Sequence, residues 1–149
     1  MSSTMDRREV LSVASLAATV SVLGGGEAAA EPAGGTLNVH VLDLYSGTPA
    51  SGVKVDLFFR KGEQMAAVKS VLTDADGRSG TLLAGEAFAA GRYLVSVDLS
   101  EYFKGADKTL PAGFFRKLSL EFEVTDPTVP HHIPLQCTPW TQACSVLPG

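Results

Sequence analysis

The chain has 149 residues, 45% of them hydrophobic and 19% charged, with a formal net charge of −4 at pH 7. That balance excludes a disordered or fibrous chain and is of a size for one compact domain. The acidic sum, with no lysine cluster or aromatic-interleaved basic run, argues against a nucleic-acid partner.

The first thirty residues stand apart. Arg7 and Arg8 precede an apolar run from Val10 to Leu23, which glycines and the small-residue segment Ala28 to Ala30 follow. This is the layout of a twin-arginine export signal. The run falls short of the ~20 apolar residues that cross a bilayer, so cleavage near Ala30 is expected rather than a retained anchor. The expectation is a signal peptide over 1–30, a mature domain over 31–149 and a periplasmic location, with no membrane contact after cleavage.

From there the chain alternates with period two, the mark of half-buried strands. In "LNVHVLD", Leu37, Val39 and Val41 face one way, and Asn38, His40 and Leu42 face the other. "VKVDLFFR" aligns Val53, Val55, Leu57 and Phe59. "RYLVSVDLS" aligns Tyr93, Val95, Val97 and Leu99, and "KLSLEFEV" aligns Leu118, Leu120, Phe122 and Val124. Further strands are expected at Ala66–Leu72 and His132–Cys137. The stretches "SGTPASG", "DADGRSG" and "TDPTVP" are turns between them. Only "SEYFKGAD" has the character of a short helix. Many short strands with almost no helix predict an all-β, antiparallel β-sandwich. Cys137 and Cys144 flank "TPWTQA", so they are either a bridge across a terminal hairpin or two small core residues.

Three stretches carry polar residues that a core does not need. His40 lies on the face opposite its strand's apolar stripe. Arg78 follows the Asp-Ala-Asp-Gly turn, and "PHHIPLQC" holds His131 and His132. Adjacent strand residues face opposite sides, so only one of that pair can share a face with His40. No His-x-His or Cys-x-x-Cys spacing suggests a metal, and no P-loop, Gly-x-Gly-x-x-Gly run or Gly-x-Ser-x-Gly elbow is present.

Taken in order, "LNVHVLDLYSGTPASGVKVDLFF", "LTDADGRSG", "AGRYLVSVDLSEYF" and "HHIPLQCTPW" resemble the transthyretin-like 5-hydroxyisourate hydrolase family. The resemblance runs from about Leu37 to Trp140. It implies a transthyretin-like (prealbumin-like) sandwich with one short helix, assembled as a homotetramer with sites at subunit contacts. It also implies that His40 in His-Val-Leu-Asp, Arg78 after Gly77, and His132 before Ile-Pro-Leu form the site. The implied reaction is hydrolysis of the cyclic amide of 5-hydroxyisourate, in urate degradation, without metal or organic cofactor. The family's Tyr-Arg-Gly-Ser tail is replaced by Ser145-Val146-Leu147-Pro148, which predicts weaker activity.

Histidine suits the two proton transfers of amide hydrolysis, because both its forms are accessible near neutral pH. Arginine offers fixed donors for a carbonyl-rich ring and a developing oxyanion. Two other readings remain at this stage. One is a binding or structural module of the same sandwich class. The other, ranked last, is an intradiol-dioxygenase-like iron protein, which needs paired tyrosine and histidine ligands; Tyr45, Tyr93 and Tyr102 form no recognisable set with His131 and His132.

Overall fold

The computed structural model describes residues 34–105 and 116–148. The expected leader over 1–30 and the processing point at Glu31 lie outside the described residues. The strands are β1 (Thr36–Asp43), β2 (Thr48–Pro49), β3 (Lys54–Lys61), β4 (Gln64–Leu72), β5 (Arg78–Ala84), β6 (Gly91–Asp98), β7 (Lys117–Val124), β8 (His131–Cys137), β9 (Gln142–Cys144) and β10 (Leu147–Pro148). One short helix, α1 (Ser100–Gly105), follows β6, and a single 3₁₀ turn covers Gly85–Ala87.

Two sheets result. One is the antiparallel ladder β4-β3-β6-β7. The other runs β10-β8-β1-β2, with β5 also paired to β1 and β9 to β8. Their inner faces carry the predicted stripes. Leu37, Val39, Val41, Val55, Leu57, Val95, Val97, Ile133 and Leu135 are all fully buried. Burial of each such side chain contributes about 1.5–3 kcal/mol, which fixes which face of every strand points inward.

The expected antiparallel sandwich is present, and within it one pair runs the other way: β1 and β8 pair in parallel, with Asn38 beside His132 and Val41 beside Leu135. The reason is topological. β7 belongs to the opposite sheet, so the turn after it changes sheets and returns β8 in the direction of β1. β5 is a second addition to the sequence reading. "RSGTLLA" lacks period two because its pairing with β1 is irregular between Leu37 and His40. Cys137 and Cys144 are two thiols rather than a bridge. The β8–β9 ladder sets Cys137 against Gln142 and Cys144 against Leu135, so neither faces the other directly, and both pack on the core.

Two buried polar groups close the ends of the strands. The Asp43 carboxylate accepts the Tyr45 amide at 2.8 Å and the Tyr102 hydroxyl at 3.1 Å, tying α1 to the end of β1. Burial and that carboxylate push the Tyr102 phenol above its usual range. Thr73 donates its hydroxyl to the Ala50 carbonyl at 2.6 Å and accepts the Val53 amide at 2.9 Å.

The turn before β5 is pinned at Gly77. Its φ of +76° lies in the left-handed region, and a Cβ there would stand 2.3 Å from the Val41 carbonyl oxygen. Gly77→Ala therefore combines the left-handed penalty of about 1–2 kcal/mol with a backbone overlap, and should cost more than about 2 kcal/mol in urea unfolding. Gly52→Ala, at φ +75° with nothing within 4 Å of the added carbon, is the control. It should lose only the left-handed penalty of about 1–2 kcal/mol.

Candidate functional site

The outer face of the six-stranded sheet collects the polar residues that the inner face rejects. Because side chains alternate, β1 presents Asn38, His40 and Leu42 outward while β8 presents His132, Pro134 and Gln136. The parallel register sets Asn38 beside His132, and the antiparallel register with β5 sets His40 opposite Arg78. The His40 and His132 rings lie 6.1 Å apart between centroids, tilted by 46°. His40, Arg78 and His132 thus share one face. His131 does not: it is buried on the core side, its Nδ1 donating to the Val129 carbonyl at 3.0 Å and its ring edge-on to Phe88.

Each outward histidine has one nitrogen committed to an oxygen acceptor. His40 Nε2 donates to the Asp76 carbonyl at 2.9 Å, so that nitrogen carries the hydrogen and Nδ1 keeps the lone pair when the ring is neutral. The acceptor is held by the turn itself. Asp74 Oδ1 receives the amides of Asp76 at 3.0 Å and Arg78 at 2.8 Å, and the Gly77 carbonyl receives the Val41 amide at 2.8 Å. The "DADGR" stretch therefore does more than reverse the chain: it sets the His40 acceptor and launches Arg78. His132 Nδ1 donates to the side-chain oxygen of Asn38. Asn38 was assigned no role from sequence, although period two already put it on the face of His40.

The electrostatics favour neutral imidazole. His132 is half-buried, and its pKa falls below the ordinary 6.5, first through burial, then through His40 and the Arg78 guanidinium. At neutral pH it holds a free lone pair, the state a proton acceptor needs.

The tyrosines required by the iron reading are engaged elsewhere. The Tyr93 hydroxyl donates to the Ala89 carbonyl, Tyr102 donates to Asp43, and Tyr45 packs edge-on against Trp140. Among the described residues no group of three or more His, Cys, Asp or Glu side chains is placed to hold a metal ion.

The family model described as HIUase/Transthyretin family matches residues 37–144, a span that contains Asn38, His40, Arg78 and His132. The chain belongs to that family. A relative, 5-hydroxyisourate hydrolase 2 of Rhizobium meliloti (strain 1021), is 36% identical over 108 residues, 71% of this chain and 90% of the relative. A solved structure of 5-hydroxyisourate hydrolase from Klebsiella pneumoniae matches with a TM-score of 0.63 at 28% identity, covering 76% of this chain and 98% of that one. Transthyretin from Sparus aurata matches with a TM-score of 0.69 at 22% identity, covering 76% and 97%, a likeness of fold alone. The sandwich is thus shared by proteins of different names, and the fold alone does not decide function.

Since the folded chain holds His132 less protonated than an ordinary imidazole, its contribution to stability is present above about pH 6.5 and is lost as the pH falls below that value and through the depressed folded pKa. An NMR titration of the imidazole protons should give a His132 midpoint below 6.5. Arg78→Gln should move that midpoint upward, because one of the three depressing causes is removed.

Proposed function

We propose that this chain hydrolyses the cyclic amide of 5-hydroxyisourate. The observation that carries the reading is the meeting of His40, Arg78 and His132 on one sheet face, with His132 biased to its neutral form. The names of the relatives supply the substrate class. In this scheme an imidazole takes a proton from water as the water oxygen bonds to the ring carbonyl carbon. The carbon–nitrogen bond then breaks, and the departing nitrogen receives the proton. Arg78 steadies the carbonyl-rich ring and the oxyanion formed on attack. A homotetramer is part of the proposal: a second copy over this outer face would exclude water from groups that are half-exposed in one protomer.

The tail bears on rate. β10 pairs with β8 so that Leu147 lies opposite His132, and Leu147 is 48% exposed. An apolar side chain therefore borders the histidine, in a tail that carries none of the ring and guanidinium groups expected from the family resemblance. Fewer positioning contacts imply a slower enzyme with its proton-transfer groups intact. The same feature favours the second reading, a binding module of this fold without turnover.

The test follows 5-hydroxyisourate decay against a no-enzyme control, because the substrate also decays unaided. The wild type should exceed the control, and His40→Ala or His132→Ala should each lower turnover by about 10²-fold or more while remaining folded. A folded wild type no faster than the control rejects the hydrolase and leaves the binding module. Export through the Arg7-Arg8 leader is likewise proposed: replacing both with lysine should abolish appearance of the mature chain in the periplasm, and unchanged export would remove that assignment.

A further inference from the structure

Asn38 is an outward polar side chain of this face that neither the resemblance nor the proposed reaction uses. The parallel ladder sets it directly beside His132 on the same face, and its amide oxygen accepts the His132 Nδ1 hydrogen. We propose that Asn38 is a positioning residue that holds His132 in the Nδ1–H tautomer, turning the Nε2 lone pair outward and making His132 the base that deprotonates water. This rests on the proposed hydrolase reading and deepens it by dividing the work of the two histidines.

The division follows from what each ring is bound to. An imidazole can accept a proton only at the nitrogen whose hydrogen is absent, and the hydrogen bond at the other nitrogen decides which one that is. For His132 the free nitrogen is Nε2. Water gives its proton there while its oxygen bonds to the carbonyl carbon. The same Nε2–H returns the proton to the ring nitrogen as the carbon–nitrogen bond breaks, so the histidine ends as it began. His40 has the opposite tautomer, fixed by the Asp76 carbonyl, and presents Nδ1. The two lone-pair nitrogens thus belong to different ring positions.

The choice of an amide over a carboxylate also has a reason. A carboxylate on Nδ1 would fix the same tautomer but would stabilise the imidazolium and raise its pKa. An amide oxygen orients without adding charge. Among the described residues, the titratable or charged groups facing His132 are His40 on β1 and Arg78 on β5, while β10 contributes Leu147. His131 on its own strand faces the core.

The experiment has an arm that does not depend on turnover. Long-range proton–nitrogen NMR of the wild type, above the His132 midpoint, should place the hydrogen on Nδ1. A hydrogen on Nε2 would mean that Asn38 offers its NH₂ instead, and would overturn the proposal. Asn38→Leu should shift the tautomer toward Nε2–H and lower kcat about 10–100-fold, with little change in KM. Asn38→Asp should restore the Nδ1–H tautomer and most of kcat, with the acid limb of the pH–rate profile moved to higher pH. An Asn38→Leu variant with wild-type kcat, or an Asn38→Asp profile that does not move, overturns the role. A wild type with no turnover above control but with the Nδ1–H tautomer would reject the hydrolase and the assignment of the base, leaving Asn38 as the group that sets the ring.

Discussion

The parallel pairing of β1 with β8 is the constraint on which the rest depends. It joins residues 94 apart in sequence, Asn38 and His132, and it lies in the middle of the larger sheet. Its register is held by burial rather than by the polar face. Leu37, Val39 and Val41 on one strand, and Ile133 and Leu135 on the other, are fully buried on the side away from the site. A slip of β8 by one residue would turn Ile133 and Leu135 to the outer face and exchange His131 with His132. The apolar face therefore determines which histidine reaches the outer face, and the placement of the site is inherited from the core.

A second layer of control is made of backbone. The Asp-Ala-Asp-Gly turn is folded on the Asp74 carboxylate and stitched to β1 through the Val41 amide, one residue from His40. Backbone carbonyls cannot change rotamer, so the Asp76 oxygen is a firmer acceptor for His40 than a surface side chain would be. Charge is distributed to match. The buried carboxylate of the sheet, Asp43, sits at the strand end, where Tyr45, Ser46 and Tyr102 satisfy it. The middle of the strand carries two imidazole rings held by uncharged acceptors, with Arg78 at the edge supplying a positive charge.

Much of this was legible in the chain and some was not, for definable reasons. Period-two stripes gave β1, β3, β6 and β7, because burial of one face leaves alternation in the letters. The same alternation separated His131 from His132 and put Asn38 on the face of His40. The parallel ladder was illegible because pairing direction leaves no trace in composition; it follows from the order in which strands enter the two sheets. β5 was missed because its irregular register with β1 erases the period. The role of Asp76 was hidden for a different cause: the group that acts is a main-chain carbonyl, which every residue has.

The tie between the first long strand and the last one also sets when the site can exist. His132 takes its place only after β8 has entered the sheet, so no folding intermediate lacking β8 can hold the two rings together. Such long-range closure raises contact order and slows folding. Until it happens, the β8-facing edge of β1 is an open row of amides and carbonyls beside a fully apolar stripe. A nascent or truncated chain ending before residue 131 would thus offer the sticky edge that strands of other molecules recruit, and its hazard would be aggregation rather than a merely inactive product.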